Sequence, residues 1–299
     1  SIVILVLAFT SLTSFGTVYG LMSATIDHRT TADGVMVKRL QPNSTQWTEI
    51  PQSDLDLLKT LFSINSVCLK AENIPSSEPL ASIFTLDGRF KDVYGVLGID
   101  PILEPQYTQV QQIVTQGDFL SQDMEAGILI SNSAANEIGI RLRDQVQFVV
   151  RGKPIKNMTV IGFFDDQLYA SQLDFDGRSF APSRALVTDE TTRIATCNAT
   201  DVIIMPLQTA LRLQDLVNEL MRGSSPQFAV ISRITFMPDD WQNFGTAIRT
   251  LTFAQEYTVY ESRFGSVTDY FLGFRYETKG AAEVIIPITM VVLNVAAVM

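Results

Sequence analysis

The side chains that most often carry reactions are sparse in this chain. His28 is the sole histidine, so neither a Ser/His/Asp triad nor a histidine-based metal site can be assembled. The spacings GxSxG, GxGxxG and CxxC and the phosphate-loop pattern ending in Gly-Lys-Ser/Thr are absent from the sequence. Asp174-Phe175-Asp176-Gly177 starts like a calcium loop but lacks the later acidic ligands and the closing Glu, so it reads as a solvated acidic turn. Asp165/Asp166 and Asp239/Asp240 read as a turn and a helix cap rather than a catalytic dyad. No catalytic residue, cofactor site or metal site is assigned, and no enzymatic activity is expected.

Two cysteines, Cys68 and Cys197, could form one disulfide in an oxidising compartment, or stay as two buried free thiols. Three N-x-S/T sequons, at Asn43, Asn157 and Asn198, would be glycosylation acceptors in a secreted setting, although a chain this rich in Ser and Thr produces such triplets by chance.

The chain has 299 residues, a net charge of −10 and 46% hydrophobic residues, with a mean hydropathy of +0.17. This acidity argues against nucleic acid and against an anionic leaflet as partner. The apolar excess sits at the ends. Residues 1–22 carry no charge and match the ~20 residues that cross a bilayer, without the basic flank and short apolar core of a signal peptide. Residues 284–299 are again uncharged and contain Asn294, Pro287 and small residues tolerated in membrane helices. They are expected to begin a second span that continues past Met299. Thr10, Thr13, Ser14, Gly16 and Thr17 would let another helix approach the first span closely.

Between the spans, residues 23–33 are expected as a stalk and 262–283 as an amphipathic stalk helix. Glu283 would mark the outer boundary of the second span, since charge is costly inside the bilayer, and Gly280 would be the weakest joint of the lever. Strands are read at 35–40, 66–71, 80–86, 91–98, 128–131, 145–150, 157–164, 202–205, 230–237 and 257–260. Helices are read from Ser53, over 104–115, over 132–138 with a stop at Gly139, after Pro206 to Gly223, and after Asp239/Asp240. Residues 165–199 read as loops with one strand at 185–187. The strands at 202–205 and 230–237 are expected to be sheet neighbours joined by the helix between them.

The segments Gly95-Val96-Leu97-Gly98-Ile99-Asp100-Pro101, Gln116-Gly117-Asp118-Phe119-Leu120, Ala126 to Ile140, Asp144-Gln145-Val146, Met158 to Phe164, Val202 to Leu213, and Ile285 to Asn294 follow one another in order. Together they resemble the extracytoplasmic region of ABC-transporter permeases of the MacB/LolC/FtsX class. Arg143 and Asp118 depart from the Gly and Arg of that pattern, and the 165–199 loop is longer.

The resemblance implies an α+β fold: a ferredoxin-like (split βαβ) subdomain interrupted by a β-rich inserted subdomain and flanked by two transmembrane helices. The expected division is 34–101 and 201–261 for the α+β subdomain and 102–200 for the insert and loops, with 102–164 a separate lobe. It also implies a multi-pass protein of the cell membrane whose large domain is extracytoplasmic. Its partners would be a cytoplasmic ATP-binding subunit, a second permease copy or homologue, and membrane lipid, with any ATPase activity on the separate subunit. The alternative is a ligand-binding sensor ectodomain between two spans.

Overall fold

A computed structural model describes residues 33–40, 47–61, 67–188, 191–221, 225–241, 244, 257–263 and 266–271. The spans at 1–22 and 284–299, the stalk at 23–32, Asn43, Gly280 and Glu283 lie outside the described residues. Among the described residues no helix is long and apolar enough to cross a membrane.

The protein is a mixed α/β structure with a large sheet and few helices. Strands β1 (Gly34–Leu40), β3 (Val67–Glu72), β14 (Val230–Phe236) and β15 (Tyr257–Arg263) form one end of it in the order β15-β1-β14-β3, every pair antiparallel. A short strand β2 (Trp47–Thr48), paired with β1, and helix α1 (Gln52–Leu61) lie between β1 and β3. Period-two alternation explains its layering. Val35, Val37, Ile234, Phe236 and Val259 point to one face, where Leu55 and Leu58 of α1 and Phe244 complete a core.

The sheet continues from β3 through β6 (Gly95–Ile99), β13 (Val202–Pro206), β8 (Gly127–Ser131), β10 (Lys153–Phe164), β9 (Gln145–Val150), β4 (Ala81–Phe84) and β5 (Phe90–Val93). Two separate apolar clusters cover its faces in this half. Helix α5 (Leu207–Met221) packs on one of them through Ala210 and Leu213. Its close seat depends on Gly98, where a Cβ would come within 2.7 Å of the Ala210 Cβ.

Several expectations are corrected. The strands at 202–206 and 230–236 are not neighbours, because β3 and β6 stand between β14 and β13. The expected insert shares its sheet with the rest of the chain, since β8 pairs with β13 over Ile203↔Ile130 and Ile204↔Leu129, although the core beside α1 is distinct from the one beside α5. Pairing also crosses the expected boundaries, since β4 pairs with β9.

The helix expected over 104–115 closes as α2 at Glu104–Thr108, because Gln109 turns left-handed at φ 54. A 3-10 turn and the strand β7 (Val114–Gly117) follow. Helix α3 (Asn132–Ile138) ends as read, with Gly139 at φ 65 accepting a left-handed conformation that suits glycine. The 165–199 stretch is more ordered than expected. It holds α4 (Asp166–Ser171), capped by Asp165, and a hairpin of β11 (Ser183–Val187) and β12 (Thr192–Thr196). In place of the start of a stalk helix, Ser266–Phe271 is a strand, β16, paired with β15.

Candidate functional site

The face of β15-β1-β14-β3 opposite α1 carries charge. Alternation puts Lys38 on that face of β1 and Cys68, Lys70 and Glu72 on that face of β3. On β14 the register shifts between Ile231 and Arg233, so Arg233 stands opposite Lys70 on one side and Lys38 on the other. A bulge of this kind re-aims the side chains beyond it. Three cations therefore form a row across adjacent strands, and the Arg233 and Lys70 side chains are 0% and 2% exposed.

Carboxylates from distant segments cover that row. The Arg233 guanidinium takes both carboxylate oxygens of Glu104 from α2 and pairs with Asp174. Lys70 Nζ lies 3.2 Å from Asp174 Oδ2, donates to the Phe180 carbonyl at 2.9 Å and sits 4.3 Å from the centre of the Phe180 ring. Lys38 Nζ reaches Asp176 Oδ2 at 3.0 Å. Glu104 is further held by Thr108 Oγ1 at 3.0 Å and Cys68 Sγ at 3.4 Å.

Burial alone raises the Glu104 carboxyl, but the Arg233 charge and hydrogen bonds hold it below its ordinary value. Asp176 is likewise held down by Lys38 against its burial. Burial pushes the Lys70 ammonium down to about 8. The Asp174-Phe175-Asp176-Gly177 turn is thus not the solvated turn expected. Its Asp174 and Asp176 side chains are 1% and 0% exposed, and its aspartates anchor the turn to the sheet.

Beside this network lies an open cleft of about 490 Å³, lined among others by Lys38, Trp47, Lys70, Glu72, Arg178 and Thr196. Its far wall is held by Asn73, wholly buried, which donates to the Ser183 carbonyl at 2.9 Å and accepts from the Val96 amide at 3.1 Å. A smaller cavity of about 320 Å³ adjoins it, sharing Ser179, Ala181 and Thr196 and lined also by Asp166, Tyr169 and Cys197.

The structure brings some of the residues singled out in the sequence together: Cys68 and Asp174 join the buried network through Glu104 and Arg233, and Asp166, Cys197 and Asn198 line the smaller cavity. Cys68 and Cys197 are both free and buried, so the disulfide alternative is not realised. Burial pushes the Cys68 thiol well up and the Cys197 thiol to about 12. Asn157 and Asn198 are exposed, on β10 and just after β12. Among the described residues no group of His, Cys, Asp and Glu is arranged to hold a metal ion. The sequence reading missed Lys38, Lys70, Glu72, Glu104 and Arg233. The available signal was the Lys70-x-Glu72 alternation on a strand whose other side is apolar.

No family model matches the chain, and no curated protein matches it. Among solved structures, a domain of a protein designated a permease from Porphyromonas gingivalis is similar at a TM-score of 0.37 and 12% identity, over 81% of this chain and 90% of that one.

Proposed function

We propose that the chain is the extracytoplasmic and membrane portion of an ABC-transporter permease of the MacB/LolC/FtsX class. In this reading the unit β15-β1-β14-β3 is the ferredoxin-like subdomain, with residues 73–229 inserted between β3 and β14. The observation that carries the reading is where the chain enters and leaves. β1 pairs with β15 and β15 with β16, which runs back along it, so that Gly34 stands beside Ser262 and Phe271 beside Thr258, at opposite ends of β15. The strands that lead from the two apolar end segments therefore belong to one end of one sheet, with β15 between them. A shift between two spans would reach β1 and β16 together and pass through β3 into the rest of the sheet, a packed element that moves as a body.

The partners are a cytoplasmic ATP-binding subunit, a second permease, and membrane lipid. The protein carries no enzymatic step of its own, and its large domain lies outside the cell membrane. Insertion of a flexible Gly/Ser segment at Gly280 tests the coupling in the full-length complex. The expected result is a folded outer domain with loss of partner-stimulated ATPase activity or transport. Activity unchanged by the insertion would mean that the end segments only anchor the domain. Single cysteines placed within 34–261 should also react with a membrane-impermeant reagent on intact cells, and protection of all of them would refute the extracytoplasmic placement.

The cleft beside Glu72 favours a second reading, a ligand-binding sensor ectodomain. Further spans after residue 299 support the permease, and a signalling domain there supports the sensor.

A further inference from the structure

The cleft and the smaller cavity behind it are rich in acceptors that lack donors. Glu72 is 5% exposed and lines the cleft. Among the described residues its carboxylate has neither an ion pair nor a hydrogen-bond donor. Lys70 acts on it through space but is engaged by Asp174 and the Phe180 carbonyl. In the adjoining cavity Asp166 Oδ1 and the Tyr169 hydroxyl are buried with no hydrogen-bond partner. An unmade hydrogen bond at a buried polar atom is costly, at about 1–3 kcal/mol each for the Asp166 and Tyr169 oxygens, and the cavity they line shares the wall of Ser179, Ala181 and Thr196 with the cleft that Glu72 lines.

The ion pairs point the same way. In the covered row four cations, Lys38, Lys70, Arg178 and Arg233, face four carboxylates, Glu72, Glu104, Asp174 and Asp176. All four cations are engaged by Glu104, Asp174 or Asp176, and among the described residues Glu72 is the carboxylate left without a contact. Pro75, Ala181 and Ile194 add apolar wall, and the indole of Trp47 stands at the same cleft, an aromatic face suited to a cation.

We propose that the two adjoining cavities bind a small organic cation carrying two or more ammonium groups on an apolar chain. Glu72 takes one ammonium in the cleft, and the Asp166 and Tyr169 oxygens take a second behind the shared wall. The buried phenol, which burial pushes well above its ordinary range, stays protonated and accepts from the ammonium through its oxygen. The site is independent of whether the chain works as a permease or a sensor.

Spermidine is the probe, added to the whole chain reconstituted in nanodiscs. The chain has two tryptophans, so Trp241→Phe leaves Trp47 as the sole reporter. Spermidine should change the Trp47 emission in a saturable way, whereas 1,6-hexanediol, and sodium or magnesium salt at matched ionic strength, should not. Glu72→Gln should weaken the midpoint at least tenfold. Thr196→Arg, an exposed change on β12 that fills the shared wall, should abolish the response even if the Glu72 variant fails to fold. Absence of a saturable response would overturn the proposal. So would a response that both variants leave unchanged, since that is diffuse attraction to a chain of net charge −10.

Discussion

Lys38 on β1 and Arg233 on β14 are register partners on neighbouring antiparallel strands, and Arg233 meets Lys70 of β3 on its other side. Like charges in directly opposed positions destabilise a sheet. Here the row is sustained by Glu104, Asp174 and Asp176, supplied by α2 and by the turn after α4. The charged row is therefore a joint: the strands provide the cations and the intervening 73–229 segment provides the anions.

Arg233→Met should be strongly destabilising, by about 3–5 kcal/mol, because it strands the Glu104 and Asp174 carboxylates in the interior. The denaturant midpoint measures this. A shift below 1 kcal/mol would show that the carboxylates find other partners. Replacing Arg233 and Glu104 together by apolar residues should cost less than Arg233→Met alone, since Asp174 keeps Lys70 as its partner.

Acid should weaken the same joint. Glu104 and Asp176 are held below their ordinary values in the folded state, so their contribution is complete above their unfolded values, roughly pH 4–5. It is lost as pH falls through the lower folded values. Urea midpoints measured from pH 7 downwards should drop steeply below about pH 4, with a smaller drop in Arg233→Met. A midpoint that stays level through this window would contradict the assignment.

The thiols offer an independent check on burial. With Cys68 and Cys197 both free, buried and pushed upward, a thiol reagent at pH 8 should detect none in the folded protein. It should detect both after unfolding. A count of zero in both states would instead indicate a disulfide.

Asn73→Ala removes the link between the Val96 amide and the Ser183 carbonyl. Leaving buried groups unpaired should cost about 1–3 kcal/mol. It should also raise proteolytic susceptibility around β11, a change that a distant surface substitution would not produce.

Local pattern by itself determined most of the elements. Alternation on β1, β3 and β14, the Gly139 stop of α3, and the apolar stripe of α5 were legible because they depend on neighbours within a few residues. Alternation also fixed which side chains of β3 share a face, Lys70 with Glu72 and Leu69 with Ala71.

What covers that face was decided only by tertiary structure. A Lys/Glu face on a strand reads as solvent-facing, and an Asp-Phe-Asp-Gly turn reads as solvated, because sequence contains no record that positions 70 and 174 meet. The same holds for the strand order. Residues 202–206 and 230–236 are consecutive strands with a helix between them, yet β3 and β6 separate them in the sheet, since long-range pairing rather than chain proximity places β13 beside β6. The bulge before Arg233 is likewise invisible locally. It adds one residue to a strand of ordinary composition, and only its partner β3 shows which side chain has been turned inward.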